Sequence, residues 1–388
     1  MSPLSATFAG RSVFVTGHTG FKGSWLCLWL ERLGARVSGY ALDPPTEPSH
    51  FDIARIADGL VADHRADVRE GGAITAALAA ADPDVVLHLA AQSVVRESYR
   101  IPRETFEINA IGTASVLDAV RARDRPCVVV CVTSDKCYLN VEQPWGYRET
   151  DALGDLSPYG GSKGAAELVI RSYRHAYFRP DRLHEHGVKV ASARAGNVVG
   201  GGDFTPDALI VDVVKALAAG EPAGIRSPGA VRPWQHVLTC LSGYLTLAAA
   251  LLESEDPNLC EAWNFGPLPG DQLPVHGVVD RFIREWGSGS WRDDSAGDHP
   301  HEADLLRLSV DKAVGRLGWR PRWEIDRVLS ETARWYRRWL DDPGSMRAFG
   351  LEQIAAYERA LEGGPPAGRP PRPATAHSGT AAPIEAGR

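Results

Sequence analysis

Ser12-Val-Phe-Val-Thr16 runs directly into Gly17-His-Thr-Gly20-Phe-Lys-Gly23, and these twelve residues decide the fold class. The first five carry no charge and are rich in β-branched and aromatic side chains, the texture of a buried strand. Residues 24–33 follow, where Trp25, Leu28, Trp29 and Leu33 recur at helical spacing before Gly34 ends the run. A strand, a glycine turn and a helix in that order bring bare backbone beside a helix N-terminus, the arrangement that receives a pyrophosphate. The GxxGxxG spacing is a variant of the usual dinucleotide fingerprint. Residues 36–42 read as the next strand and lead to Asp43, twenty positions after Gly23. A carboxylate there accepts from the adenosine ribose hydroxyls and repels a 2′-phosphate. No arginine follows immediately, so NAD is expected over NADP.

Outward from this unit, residues 84–91 and 127–133 are further near-continuous apolar runs, and 189–194 is one more strand. Helical patterns at 73–81 and 105–121 lie between them. Strands alternating with helices predict an α/β fold, a doubly wound parallel sheet of Rossmann type. After Asn197 the texture loosens around Gly200-Gly-Gly202, with helices expected at 209–219, 238–252 and 275–286. The expected organisation is an NAD-binding domain over 1–198 and a smaller mixed substrate-binding lobe over 199–362. Residues 363–388, mostly Pro, Gly, Ala, Ser and Thr, are expected to form a disordered tail.

The whole chain of 388 residues is roughly two to three times a typical domain. Its 42 Lys+Arg against 49 Asp+Glu leave a net charge of −7, without the basic footprint of a general nucleic-acid binder. The longest nearly uncharged apolar stretch, around 238–252, is too short to span a bilayer and contains Ser, Thr and Gly. The first ten residues have neither a basic start nor an apolar signal core, so the cytoplasm is expected. Six cysteines without CxxC spacing read as core thiols, and no metal site is expected.

Tyr159-Gly-Gly-Ser-Lys163 places a phenol and an ammonium on one helical face. The ammonium is expected to lower the phenol's pKa and make it a base for a sugar hydroxyl. Thr133-Ser134-Asp135-Lys136 ends a strand at the sheet's carboxyl edge. Ser134 can bond a substrate oxygen, Asp135 can act as acid, and Lys136 can tune it or move a second proton; equally, Ser134 and Asp135 can cap a turn. Asp67-Val68 either frames the adenine or lies in a solvated loop. Asn109, mid-helix, either bridges helix and sheet or faces solvent.

These stretches resemble the extended short-chain dehydrogenase/reductase family, in particular its nucleotide-sugar 4,6-dehydratases. The resemblance spans about residues 11–323 and includes Tyr40-Ala-Leu-Asp-Pro-Pro-Thr-Glu-Pro48, Arg194-Ala-Gly-Asn-Val198 and Val231-Arg-Pro-Trp-Gln-His-Val237. Relatives acting on dTDP-glucose or GDP-mannose carry glutamate where this chain has Lys136, which points to the branch acting on CDP-sugars. The resemblance implies that Tyr159 is the base at carbon 4, with Lys163 its partner, and that Ser134 contacts the carbon 4 oxygen. It further implies that Asp135 protonates the departing carbon 6 hydroxyl, with Lys136 standing where the carbon 5 base is sought. Gly17, Thr19, Gly20, Phe21, Lys22, Gly23, Asp43, Asp67, Val68, Ala90, Ala91 and Gln92 would hold NAD together with Tyr159 and Lys163. Asn197, Arg232, His301 and Glu302 would meet the nucleotide sugar. Gly160 stands where the family pattern has serine. Pairing of helices 105–121 and 159–177 would form a homodimer. Other readings remain: a 4-epimerase, which shares Tyr159 and Lys163 but needs no acid for carbon 6, a dehydratase of another nucleotide sugar, and a non-catalytic NAD-binding protein.

Overall fold

The structure is a computed structural model and describes residues 3–296 and 303–363. His301, Glu302 and all of the expected tail beyond Gly363 lie outside the described residues.

Seven strands form the central sheet: β1 (Ser12–Thr16), β2 (Arg36–Ala41), β3 (Leu60–Arg65), β4 (Val85–His88), β5 (Cys127–Val132), β6 (Val188–Ala195) and β7 (Ala262–Phe265). All pair in parallel, in the order β7-β6-β5-β4-β1-β2-β3. The order reverses between β1 and β4, so the carboxyl ends there open the crevice in which such sheets bind ligands. The doubly wound sheet is the fold expected from the sequence.

Alternate residues of each strand face opposite layers. Val13, Val15, Leu87 and Val130 join one apolar cluster with Trp25, Trp29, Leu241 and Trp335. Phe14, Val86 and Val129 join a second with Leu78, Val120 and Ile170. Burial on both faces explains why β4 and β5 read as unbroken apolar runs. β3, at the sheet edge, alternates between half-buried and exposed residues.

The longer helices are α1 (Phe21–Arg32), α2 (Gly71–Ala81), α3 (Gly112–Arg123), α4 (Pro158–Ala176), α5 (Leu209–Ala218), α6 (Val237–Glu253), α7 (Val275–Trp286), α8 (Ile325–Asp341) and α9 (Met346–Glu362). The single helix expected over 105–121 is three pieces. An α-helical turn at Pro102–Phe106 passes into a π-helical turn at Glu107–Ile111 and only then into α3. The widened turn carries Asn109, whose bonds across to a neighbouring loop outweigh regular winding. Beyond Asn197 the chain returns to the sheet, with β7 pairing Ala262 to Ser192 and Phe265 to Ala195. All six cysteines are free and buried. No helix of the described residues is long and apolar enough to cross a membrane.

Candidate active site

The glycine turn leaves the end of β1 and starts α1. Gly17 has φ of 73°, and a Cβ there would stand 2.7 Å from the Ala90 nitrogen. A Cβ on Gly23 would come within 2.0 Å of the Gly17 carbonyl oxygen. Only hydrogen fits at either place. Gly20 caps α1 without any side-chain hydrogen bond, leaving the first N–H groups of that helix to backbone and ligand. Bare backbone at a helix start fits a dinucleotide's pyrophosphate. Thr19 Oγ1 donates to the Leu42 carbonyl at 2.9 Å, and Gly17 N donates to Tyr40 O at 2.9 Å, tying the turn to β2. Phe21 packs towards Gly200, whose Cβ would lie 3.2 Å from the Phe21 ring.

On the other side of the crevice, Thr16 Oγ1 accepts from Leu89 N at 3.1 Å and Ala90 N at 3.2 Å. The same hydroxyl is hydrogen-bonded to His88 Nδ1 at 2.7 Å, while His88 Nε2 meets Thr113 Oγ1 at 3.1 Å. Burial, with the nearby Lys163 charge, pushes His88 down to about 3, so the ring is neutral. Asn109 continues the lock. It accepts from Gln92 N at 2.9 Å and donates to Gln92 O at 3.0 Å and to Ser162 Oγ at 2.8 Å. Ser162 in turn donates to the Tyr159 carbonyl at 2.6 Å. Asn109 is buried rather than facing solvent, and it bridges not helix to sheet but the loop of Gln92 to the start of α4.

Asp43 is 90% exposed just beyond β2. Asp67 is gripped by Arg69, Oδ2 to Nη2 at 2.6 Å, and Val68 beside it is buried. These three stand at the ends of β2 and β3, apart from the chemistry.

Ser134, Asp135 and Lys136 follow β5. Ser134 Oγ accepts from Lys136 N at 3.2 Å, so it caps a short helical turn, and it also bonds Asp135 Oδ1 at 3.2 Å. Asp135 is 2% exposed, and its Oδ2 is buried with no hydrogen-bond partner among the described residues. Burial raises its carboxyl, against the pull of Lys136, Ser134, Lys22 and Arg232. A raised pKa makes the carboxyl a better proton donor than an exposed aspartate.

Tyr159 and Lys163 share the buried face of α4. The expectation that Lys163 lowers the phenol is corrected here. Burial pushes Tyr159 up to about 12; the Ser134 hydroxyl lowers it, and Asp135 and Cys137 raise it. Burial and then the charge of Lys22 push Lys163 down to about 8. Desolvation is the largest cause of both shifts, because both groups are enclosed on the buried face of α4. Lys22 therefore acts on the same centre as Asp135 and Lys163. Gly160 is explained by contact: a Cβ there would stand 2.3 Å from Asp155 Oδ2 and 2.5 Å from the Lys136 carbonyl.

Arg232 is 5% exposed, and its Nη1 donates to the Val231 carbonyl at 3.1 Å and the Asp304 carbonyl at 3.4 Å. Asn197 leaves β6 and accepts from Gln235 N at 3.0 Å through its carbonyl. The structure thus gathers Lys22, Ser134, Asp135, Tyr159, Lys163 and Arg232 about one centre.

Glu167, His88 and Ser162 were missed in the sequence. Glu167 carried a legible sign, since it lies four residues after Lys163 on the same helical face. Its carboxylate joins Thr133, Ser192 and Arg194 in one buried network.

Fold and cradle are those of a dinucleotide-binding Rossmann protein. The chain belongs to the NAD dependent epimerase/dehydratase family, which it matches over residues 13–266. It is 46% identical over 332 residues to the CDP-glucose 4,6-dehydratase of Salmonella typhimurium, a match covering 85% of this chain and 92% of that one. To a dTDP-glucose 4,6-dehydratase of Xanthomonas campestris it is 27% identical, covering 88% and 98%. Among solved structures, a Streptomyces venezuelae dTDP-glucose 4,6-dehydratase with NAD bound superposes with a TM-score of 0.70 at 23% identity, over 87% and 99% of the chains. A Bacillus cereus UDP-glucuronic acid 4-epimerase in complex with UDP-glucuronic acid and NAD does so with 0.71 at 21%, over 84% and 99%.

Proposed function

We propose that this chain converts CDP-glucose to CDP-4-keto-6-deoxyglucose and water with NAD as cofactor. The observation that carries dehydration over epimerisation is Asp135, a buried carboxyl with a raised pKa and an unengaged oxygen beside Tyr159. The choice of CDP rests on the Salmonella relative. When bound, NAD would supply the hydride acceptor for carbon 4 and the hydride donor for carbon 6. Tyr159, whose phenol burial holds up and the Ser134 hydroxyl pulls down, would take the proton of the carbon 4 hydroxyl once the positive charge of the bound cofactor favours its phenolate, and Ser134 would bond the oxygen left behind. Lys163 holds positive charge beside the nicotinamide ribose. The 4-ketone acidifies carbon 5; Lys136, which stands where the carbon 5 base is sought, would take that proton and return it to carbon 5 as hydride reaches carbon 6. Asp135 protonates the hydroxyl leaving carbon 6, and the two together leave as one water. Gly17, Gly20 and Gly23 receive the cofactor's pyrophosphate, Asp43 its adenosine ribose, and Asp67, Val68, Ala90, Ala91 and Gln92 line its path. Arg232, suited to bidentate contact, pairs with the substrate diphosphate, with Asn197, His301 and Glu302 also meeting the nucleotide sugar.

The proposed assembly is a cytoplasmic homodimer. Phe106, Ile111 and Leu168 are exposed apolar side chains on the helices expected to pair. Six free buried thiols suit a reducing compartment.

CDP-glucose deuterated at carbon 4, incubated in ordinary water, tests the reading. The product is expected to carry that deuterium at carbon 6, to have lost one water, and to form without net NADH. Deuterium kept at carbon 4 with the 6-hydroxyl intact means an epimerase, and deuterium on free NADH means a simple dehydrogenase. Faster turnover of dTDP-, UDP- or GDP-glucose in the same assay corrects the base.

A further inference from the structure

Asp43 does not stand alone. Arg65, the last residue of β3, brings Nη1 to 3.6 Å from Asp43 Oδ1. The sequence argued for NAD because no arginine follows Asp43; the arginine arrives from the neighbouring strand instead.

Its guanidinium is held on several sides. Nη2 donates to Asp63 Oδ2 at 2.7 Å, Nη1 donates to the Leu42 carbonyl at 3.4 Å, and Cζ lies 4.8 Å from the centre of the Phe51 ring. The other oxygen of Asp63 is 2.8 Å from Nε2 of His18, in the glycine turn. His18 stands edge-on to Phe51, ring centres 5.5 Å apart. Gly39 makes that possible, because a Cβ there would lie 2.4 Å from the imidazole. Both oxygens of Asp63 are therefore engaged. Arg65 is a fixed cation with 31% of its side chain exposed, while the carboxylate facing it is 90% exposed.

We infer that Arg65 is a specificity-determining residue at the adenosine ribose, a preset guanidinium for a 2′-phosphate that the carboxylate of Asp43 alone turns away. The inference rests on the NAD reading above. With both residues present, a ribose diol binds Asp43 by hydrogen bonds, whereas a 2′-phosphate meets repulsion from Asp43 and attraction to Arg65. With the carboxylate removed, only the attraction remains, in a planar fork suited to phosphate oxygens.

The experiment measures dissociation constants of NAD+, NADP+ and 2′-AMP by calorimetry on the full chain, as wild type, Asp43→Ser, Arg65→Gln and the double variant. Asp43→Ser is expected to tighten NADP+ relative to NAD+ by about tenfold or more, with 2′-AMP following, as close charge pairs at interfaces do. Adding Arg65→Gln is expected to abolish that gain, while Asp43→Ser with Arg65→Lys keeps part of it and guards against a folding defect in the glutamine variant. No gain in Asp43→Ser, or a gain that survives loss of Arg65, overturns the inference while NAD+ binding leaves the cofactor reading intact. A wild type that binds neither dinucleotide overturns both.

Discussion

Oε2 of Glu167 lies 2.8 Å from Nη2 of Arg194, with each side chain 4% exposed. The same carboxylate accepts from Ser192 Oγ at 2.9 Å and from the Thr133 hydroxyl, the residue before Ser134. Arg194 Nη1 donates onward to the Tyr138 hydroxyl at 2.8 Å. One buried carboxylate therefore clamps the Tyr159/Lys163 helix to β5 and β6. Burial raises the Glu167 carboxyl, but Arg194 and the hydroxyls together hold it below its usual value.

Glu167→Ala leaves Arg194 buried without its counter-charge, and breaking such a pair costs about 3–5 kcal/mol. Urea melts are expected to show that loss. Glu167→Gln keeps the shape and is expected to lose less stability. A Glu167→Ala variant as stable as the wild type would show that the clamp is idle.

Gly160→Ser restores the pattern of the family but places a Cβ against Asp155 and the Lys136 carbonyl. Overpacking of this kind costs about 1–3 kcal/mol, and the strain falls between the Lys136 turn and Tyr159. The expected result is a lower melting temperature and reduced kcat, both partly restored by adding Asp155→Ala. Wild-type behaviour of Gly160→Ser alone would mean that the neighbours yield without cost.

What was legible in the sequence follows from where the information sits. β1, β4 and β5 read clearly because both faces are buried, and Asn109 stood out because its residue type suits a helix poorly. β7 did not read as a strand, since Ala262-Trp-Asn-Phe265 is short and interrupted by a polar residue. Asn264 is buried there because its Nδ2 donates to the Tyr147 and Ser309 carbonyls, partners far away in the chain. The π-helical turn at Glu107–Ile111 and the approach of Arg65 to Asp43 are likewise set by tertiary contacts. The Tyr159 phenol was misjudged for a related reason: spacing shows that two groups share a face, not how deeply that face is enclosed.

Lys163 is charged below about 8, and Lys22 is one of the reasons its pKa is so low. If the ammonium is needed, turnover falls as pH rises through that value. Lys22→Gln removes a like charge, so Lys163 holds its proton to higher pH and the alkaline limb of kcat moves upward. A pH–rate profile with an unmoved limb, or one moved downward, would separate Lys22 from this titration.

His50, His88 and His236 are each pushed by burial to about 3. Their folded pKa values lie below the unfolded value near 6.5, so between about 3 and 6.5 the unfolded chain binds more protons. Stability is complete above that window and is lost on acidification, by at most about 4 kcal/mol per pH unit if all three titrate together. Melting temperatures are expected to fall steeply from pH 6.5 to 4.5. A flat profile there would mean that the rings accept protons while folded.

β7 has a consequence for how the protein is made. A ribosome has to extend the chain to Phe265 before the last strand of the sheet exists, and until then the outer rim of β6 offers unpaired Ser192 and its neighbours to whatever is nearby. The nascent NAD cradle near the N-terminus waits on residues synthesised more than two hundred positions later. A chain truncated just after Asn197 would keep the nucleotide motif and still present an open rim, which makes premature termination an aggregation hazard rather than a source of a spare cofactor-binding fragment.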